Sequence, residues 1–101
     1  MDRNYLQDVC VGFEQITNTD DAFQLTPPDQ GGGVVLALIQ AEAQGLRWRA
    51  DGQAPTASIG SLIPANAELE FTGTPQGLAQ LRLIAETTGA IANVHYFKNQ
   101  Q

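Results

Sequence analysis

Few side chains in this chain of 101 residues could carry out chemistry, since it has one histidine, His95, and one cysteine, Cys10. A zinc site needs several nitrogen, sulfur or carboxylate ligands that converge, and a hydrolytic triad needs its histidine beside an activated serine. The segment SIGS at residues 58–61 is not the strand-turn-helix elbow that exposes a nucleophile. We therefore expect no metal, no cofactor and no catalytic residue, and we interpret His95 as a structural or interface residue.

Carboxylates are more frequent, but their spacing is not that of a site. Glu68 and Glu70 lie two positions apart, so on a strand they share one face, as paired acids in a glycosidase could. Nothing in the sequence gives the two carboxylates the different environments that a general acid and a general base require. We therefore interpret the pair as part of a polar outer face. Asp20, Asp21 and Asp29 fall in turn segments without the spacing of a calcium loop, and we expect them to be solvated.

The overall charge limits the partners of the chain. A formal net charge of −6 argues against nucleic acid, because binding a phosphate backbone requires a cationic surface. It also disfavours anionic membranes, and no apolar run approaches the ~20 residues that a bilayer span needs. The first residues lack the apolar core of a secretory signal, so we expect synthesis in the cytoplasm.

The chain length fits one domain, and its hydrophobic pattern predicts strands. Alternating apolar residues recur about every ten positions, separated by Gly, Pro, Asn and Asp turns. This pattern is typical of an all-β fold, a single antiparallel β-sandwich or jelly-roll-like domain of seven or eight short strands. We predict an N-terminal arm at residues 1–8, the sandwich at 9–98 and a tail at 99–101, with a loop from Pro27 to Gly33.

Two segments leave a helix open as an alternative. Residues 34–43 contain good helix formers and Gly45 could follow a helix end, although alternation would place Val35, Ala37 and Ile39 on one face of a strand. Residues 74–88 could form a helix that stops at Gly89, whereas the strand interpretation leaves one helical turn, with Thr74 as N-cap and Pro75 at the first position.

A concentrated motif at residues 47–60, RWRADGQAPTASIG, is interpreted as a strand end, a tight bend and the next strand. Asp-Gly is a strong turn signal and a proline blocks ladder pairing. On a strand, the arginines share one face and Trp48 takes the other. Either Trp48 packs in the core, or it forms an aromatic platform for a sugar or a partner protein. The motif residues are Arg47, Trp48, Arg49, Asp51, Gly52, Pro55, Thr56 and Gly60.

The first and last strands also divide into two faces. In the last strand the alternation sets Ala90, Ala92, Val94 and Tyr96 opposite Ile91, Asn93, His95 and Phe97. In the first it places Val9, Val11 and Phe13 together, and we expect Cys10 to be a buried, inert thiol. As a possible interface we assign four residues, namely Ile91, His95, Tyr96 and Phe97.

The ordered motif Arg-Trp-Arg-x-Asp-Gly-x-x-Pro-Thr-x-x-x-Gly, followed by LRLIAETTGAIANVHYF, resembles a group of small β-sandwich structural proteins of tailed bacteriophages. The match covers about residues 34–97. Residues 1–33 match poorly, and Tyr96-Phe97 stands where the group has two tyrosines. The resemblance favours strands at residues 34–43 and 81–86.

The resemblance implies a non-enzymatic virion protein, in particular a capsid decoration (cement) protein on the outer surface of the shell. Its expected partners are the major capsid protein and sister subunits, with a homotrimer as the expected oligomer. The loop from Pro27 to Gly33 and residues 1–8 would lie across neighbours. The alternative is a carbohydrate- or receptor-binding module of a phage fibre or adhesin that uses Trp48 and Tyr96.

Overall fold

The computed structural model describes residues 8–28 and 33–99. These residues contain eight strands and one short helix. In chain order they are β1 (Asp8–Ile16), β2 (Phe23–Gln24), β3 (Val34–Glu42), β4 (Leu46–Arg49), β5 (Ser61–Ile63), β6 (Glu68–Thr72), α1 (Pro75–Ala79), β7 (Arg82–Ala85) and β8 (Ile91–Asn99).

The strands form two four-stranded sheets in which the paired strands are antiparallel. Sheet A has the order β1-β8-β3-β6, and sheet B has the order β2-β7-β4-β5. The hairpin between β4 and β5 stays within one sheet, while the other connections pass between the sheets. This strand order is that of a jelly roll, which joins two Greek keys in a double sheet. The predicted all-β antiparallel sandwich is therefore confirmed.

The core lies between the two sheets and follows the alternation of β8. Ala92, Val94 and Tyr96 are at most 1% exposed, and Ala90, just before the strand, is also buried. From the same sheet, β3 adds Ala37, Ile39 and Ala41. The facing residues of sheet B are also buried, namely Leu46, Ile63, Leu83 and Ala85. Both sheets thus contribute alanine as well as larger apolar side chains to the core.

Both segments with a helix alternative form strands. Residues 34–42 form β3, which ends before Ala43 because that residue takes a positive φ of 73°. The helix after Thr74 has only five residues. Thr74 Oγ1 accepts a 3.0 Å hydrogen bond from the amide of Gly77, so the N-cap lies where the sequence predicts it. Leu78 is buried in the core, and β7 follows.

In sheet A, the observed strand pairing contradicts three predictions about which face of the sheet a side chain occupies. Along β1, Cys10 pairs with Phe97 and Gly12 with Tyr96, so Val11 is an extra residue. A bulge moves every later side chain to the other face, and Phe13 therefore points outward, away from Val11. Cys10 is exposed, not buried.

A second shift lies in β3, between Val34 and Leu36. Because of this shift, Val34 shares the core face with Ala37. The alternation predicts Val35 in that position.

The first and last strands define the described ends of the sandwich. β1 begins at Asp8 and β8 ends at Asn99. The rest of the predicted arm and tail, and most of the loop predicted from Pro27 to Gly33, lie outside the described residues.

Candidate functional site

The motif at residues 47–60 forms the β4–β5 hairpin, and Arg47 is at its centre. Its Nη1 donates to the carbonyl of Gly60 at 3.0 Å, and its Nη2 donates to Glu86 Oε2 at 2.9 Å. Glu86 follows β7, so this guanidinium joins three strands of sheet B. Both side chains are mostly shielded from solvent, with 23% and 34% exposed. Arg47 is thus part of the scaffold of the hairpin.

Arg49 holds the bend itself. Its guanidinium donates to both carboxylate oxygens of Asp51, and Asp51 Oδ1 accepts from the amide of Gln53 at 3.2 Å. These hydrogen bonds lower the pKa of Asp51 and raise that of Arg49. Gly52 takes a φ of +83°, the left-handed conformation that glycine adopts without strain.

The second half of the hairpin is closed by Thr56. Its Oγ1 accepts from the amides of Ser58 and Ile59, and its backbone exchanges two hydrogen bonds with Ile59. Pro55 is buried. Gly60 has a φ of +137°, and a Cβ there would lie 3.0 Å from the carbonyl oxygen of Trp48, so only glycine fits.

Trp48 is half-buried on the core side of β4. Its ring meets Phe71 of β6 edge-on, with centroids 4.8 Å apart, and its indole Nε1 is buried without a hydrogen-bond partner. A surface cleft of about 480 Å³ lies beside it, lined by Trp48, Arg49, Ala50, Asp51, Ile59, Gly60 and Ser61. Trp48 therefore packs between the sheets, as the core interpretation predicts, and it also borders a cleft; its use as a binding platform stays a prediction.

The residues assigned to an interface lie on both faces of β8. Ile91, His95 and Phe97 are on the outer face of sheet A, the face that points away from sheet B. His95 is exposed, and the other two are half-buried. Tyr96 is 1% exposed and faces the core, so its side chain cannot contact a partner or a sugar at this surface. Trp48 and Tyr96 also belong to different sheets, which contradicts a shared sugar site.

Phe13 joins His95 on the outer face, although the sequence did not place it there. Its ring centroid is 4.7 Å from that of His95, and its side chain is 54% exposed. Leu38 and Glu70 continue this row across β3 and β6. Gly12, an isolated glycine in a strand, is the signal for the bulge that turns Phe13 outward.

A polar row lies beside the aromatic one. Gln15 Nε2 donates to Asn93 Oδ1 at 2.9 Å, and Asn93 Nδ2 donates to Gln40 Oε1 at 3.2 Å and Glu42 Oε1 at 2.8 Å. The hydrogen bonds link β1, β8 and β3 and fix these side chains. The outer face of sheet A is therefore a preorganised surface with one apolar and one polar row.

A second cluster that the sequence did not reveal surrounds Glu14. Its carboxylate accepts hydrogen bonds from the hydroxyl of Tyr96 and from the amide and hydroxyl of Thr26. Burial and the Glu14 charge raise the pKa of Tyr96 well above its usual value. The cluster ties the chain after β2 to the first and last strands.

The other candidates for chemistry stay apart. Cys10 Sγ contacts only the carbonyl of Gly12, at 3.5 Å, and no hydrogen bond connects His95 to a serine or carboxylate in the described residues. Within residues 8–28 and 33–99, no group of three or more His, Cys, Asp or Glu side chains is arranged to hold a metal ion. Glu68, Glu70, Asp20 and Asp21 are all exposed.

No family model, curated protein or solved structure matches the chain. The described residues contain no helix with the length and apolar character required to span a bilayer.

Proposed function

We propose that the chain is a non-enzymatic structural protein of a tailed-bacteriophage virion, a decoration subunit that binds the outer capsid shell and stabilises it. The sequence resemblance suggests this class of protein. The structural observation that carries the proposal is the contact between the tilted rings of Phe13 and His95 on the outer face of sheet A. An exposed aromatic side chain at a fixed position is typical of an interface, where aromatic residues are enriched.

The size of this face supports the proposal. Its strands lie about 4.8 Å apart and reach nine residues at about 3.3 Å each, so four strands cover at most roughly 19 by 30 Å. A standard interface buries about 800 Å² on each partner. Leu36, which pairs with Phe97 on this face, is 0% exposed, so only part of this area is free. The free part has Phe13, His95 and Leu38 as its apolar centre and Asn93 and Gln15 as polar neighbours, and it provides a share of one such contact.

The packing of His95 favours a binding role over a catalytic one. Its ring lies against Phe13, and the groups across the strands are Phe13 and Leu38. A general base needs a partner that orients it and a nucleophile within hydrogen-bond reach. A histidine packed against apolar neighbours suits a surface that is buried on docking.

The test is binding to particles of the phage that encodes the chain. Particles assembled without the chain are mixed with purified protein and sedimented, and we expect the wild-type chain to sediment with them. Phe13→Ser should weaken binding by about tenfold or more, because it removes the exposed aromatic anchor. Ile59→Ser, which changes a side chain of similar exposure, 56% against 54%, is the matched control. Failure of the wild-type chain to bind these particles would overturn the proposal.

A second candidate function, carbohydrate binding, is favoured by the cleft beside Trp48. An indole next to the Arg49–Asp51 pair and the Ser61 hydroxyl combines a stacking surface with hydrogen-bonding groups. Trp48 is the only tryptophan, so its fluorescence reports this cleft alone. Saturable quenching by a neutral sugar would support this candidate, and unchanged fluorescence up to high millimolar sugar would reject it.

A further inference from the structure

The cations of the described chain are concentrated on one face. Arg47 and Arg49 lie two positions apart on β4, and Arg49 is paired directly with Arg82 of β7. Side chains of one strand that are two positions apart share a face, as do directly paired residues. Three of the five lysine and arginine residues therefore share the outer face of sheet B, in a chain with a net charge of −6.

Among the described residues, Arg82 has no counterion on this face. Arg47 pairs with Glu86 and Arg49 with Asp51, but Arg82 makes neither a hydrogen bond nor an ion pair within the described residues. Its Nε is buried without a partner. Like charges directly opposite each other on neighbouring strands are unfavourable, and a buried donor without an acceptor is costly. An external carboxylate at this row would offset the repulsion between the two guanidinium groups.

The complementary charges are on the opposite sheet. Glu68 and Glu70 lie on β6, the edge strand of sheet A, where they are paired with Gln40 and Leu38. Both are exposed, and neither has an ion pair in the described part of the chain. Residues two apart on a strand are separated by about 7 Å, while directly opposite residues are about 5 Å apart. The two spacings differ by about 2 Å, a difference that the long, flexible arginine and glutamate side chains can span.

We propose that this row receives β6 of a second copy of the same chain, with Glu68 and Glu70 placed against Arg49 and Arg82. This contact deepens the proposed function, on which its role in the virion rests, because it specifies how sister subunits meet. The two surfaces differ, so the contact is head-to-tail. In each copy the arginine row binds β6 of one neighbour, and β6 binds the arginine row of another. Such contacts close into a ring when the rotation permits.

Apolar side chains beside the arginines add contact area. Leu62 of β5 and Ile84 of β7 are the two neighbours of Arg47 across the strands, and Leu62 is 41% exposed. The Phe13–His95 pair lies on β1 and β8, at the other side of sheet A from β6. It remains available for the shell when the sister contact has formed.

The experiment is sedimentation velocity of the purified full chain, without phage particles, over a range of concentrations. We expect a concentration-dependent oligomer that weakens as salt is added, because screening reduces the attraction between exposed charges. Arg82→Glu and, separately, Glu68→Lys with Glu70→Lys should each weaken self-association by about tenfold or more, because like charges then meet. A chain that carries Arg82→Glu and Glu70→Lys together should recover association, since opposite charges face each other again in every contact.

Matched controls separate this contact from effects of net charge. Lys98→Glu changes the charge by the same amount as Arg82→Glu, and Asp21→Lys matches a single Glu→Lys change; both should leave association unchanged. Circular dichroism verifies that each variant is folded, and the exposed Glu68 and Glu70 provide a test that does not disturb the half-buried Arg82.

A wild-type chain that stays monomeric at all concentrations, or an oligomer that Arg82→Glu leaves intact, would overturn the inference. If the wild type is monomeric but Arg82→Glu weakens sedimentation with particles, the arginine face contacts an anionic shell surface, which also overturns it. Either result leaves particle binding by the wild type, and hence the proposed function, in place. Loss of particle binding with self-association intact would reject the proposed function instead.

Discussion

The hydroxyl of Tyr96 donates a hydrogen bond to the carboxylate of Glu14, across two neighbouring strands of sheet A. The same carboxylate accepts from the amide and hydroxyl of Thr26. One acidic side chain therefore connects the first strand, the last strand and the segment that leaves β2.

Tyr96→Phe should destabilise the fold by about 1 kcal/mol at pH 7, because the ring stays buried and Glu14 keeps its donors from Thr26. Urea unfolding followed by circular dichroism measures the change. A variant as stable as the wild type would show that the phenol contributes nothing through Glu14.

Alkaline pH should remove this stabilisation. Burial and Glu14 raise the pKa of Tyr96 in the folded chain, whereas the unfolded chain releases the proton near pH 10. The folded state then binds more protons than the unfolded state, so stability is complete below about pH 10 and falls as the pH rises further. The stability difference between the wild type and Tyr96→Phe should therefore narrow from pH 9 to pH 11. A constant difference would contradict the raised pKa.

Gly12→Ala should cost about 1–3 kcal/mol, as overpacking typically does. A Cβ at this position would lie 2.9 Å from Cγ of Pro28, so the bulge or the segment after Thr26 must shift. Gly73→Ala is the control, because a Cβ there meets no atom within 4 Å. We expect the control to be neutral or slightly stabilising. Thermal unfolding measures both variants, and equal effects would show that the Pro28 contact is unimportant.

The two arginines of β4 should differ in their effect on stability. Arg47→Met removes hydrogen bonds to Gly60 and Glu86 and should cost about 1 kcal/mol, a value already reduced for partial solvent exposure. Arg49→Met removes only the exposed pair with Asp51 and should leave the stability close to that of the wild type, because exposed ion pairs contribute little. Both changes remove one positive charge, so denaturant unfolding compares them directly. A larger loss for Arg49→Met would reverse their assigned roles.

Thr74→Ala should destabilise the fold by about 1 kcal/mol, because it removes the side-chain acceptor for the amide of Gly77. Thr74→Ser keeps an acceptor and is the control. Thermal unfolding distinguishes the two variants, and identical melting temperatures for both would indicate that the cap is not needed.

Much of the fold could be predicted because alternation is a local signal. From Ala90, just before β8, to Tyr96 within it, every second residue is buried, as the alternation predicts. Thr74 and Pro75 likewise define the start of α1, since capping depends on adjacent residues. The helix alternative for residues 34–43 could not be rejected from the pattern alone, because a strand buried on both faces at its start has the composition of a buried helix.

The surfaces could be predicted less well, because they depend on register between distant strands. Val11 is an extra residue only relative to β8, so no local pattern fixes the face of Phe13. The meeting of Glu14 with Tyr96, and of Arg49 with Arg82, depends in the same way on pairing between segments far apart in sequence. The hairpin of residues 47–60 is the contrasting case, because its side-chain hydrogen bonds, apart from that of Arg47 with Glu86, lie within the segment itself.

The position of β8 between β1 and β3 has a consequence for synthesis on the ribosome. The first strand to emerge finds its partner in the last one, so a nascent chain that stops before Ile91 retains only the β3–β6 pairing of sheet A. At 5–20 residues per second, the nine residues of β8 take roughly one second to add. Until β8 has been added, the strand edges of β1 and β3 that it joins stay unpaired, so sheet A forms in the reverse of a simple N-to-C order.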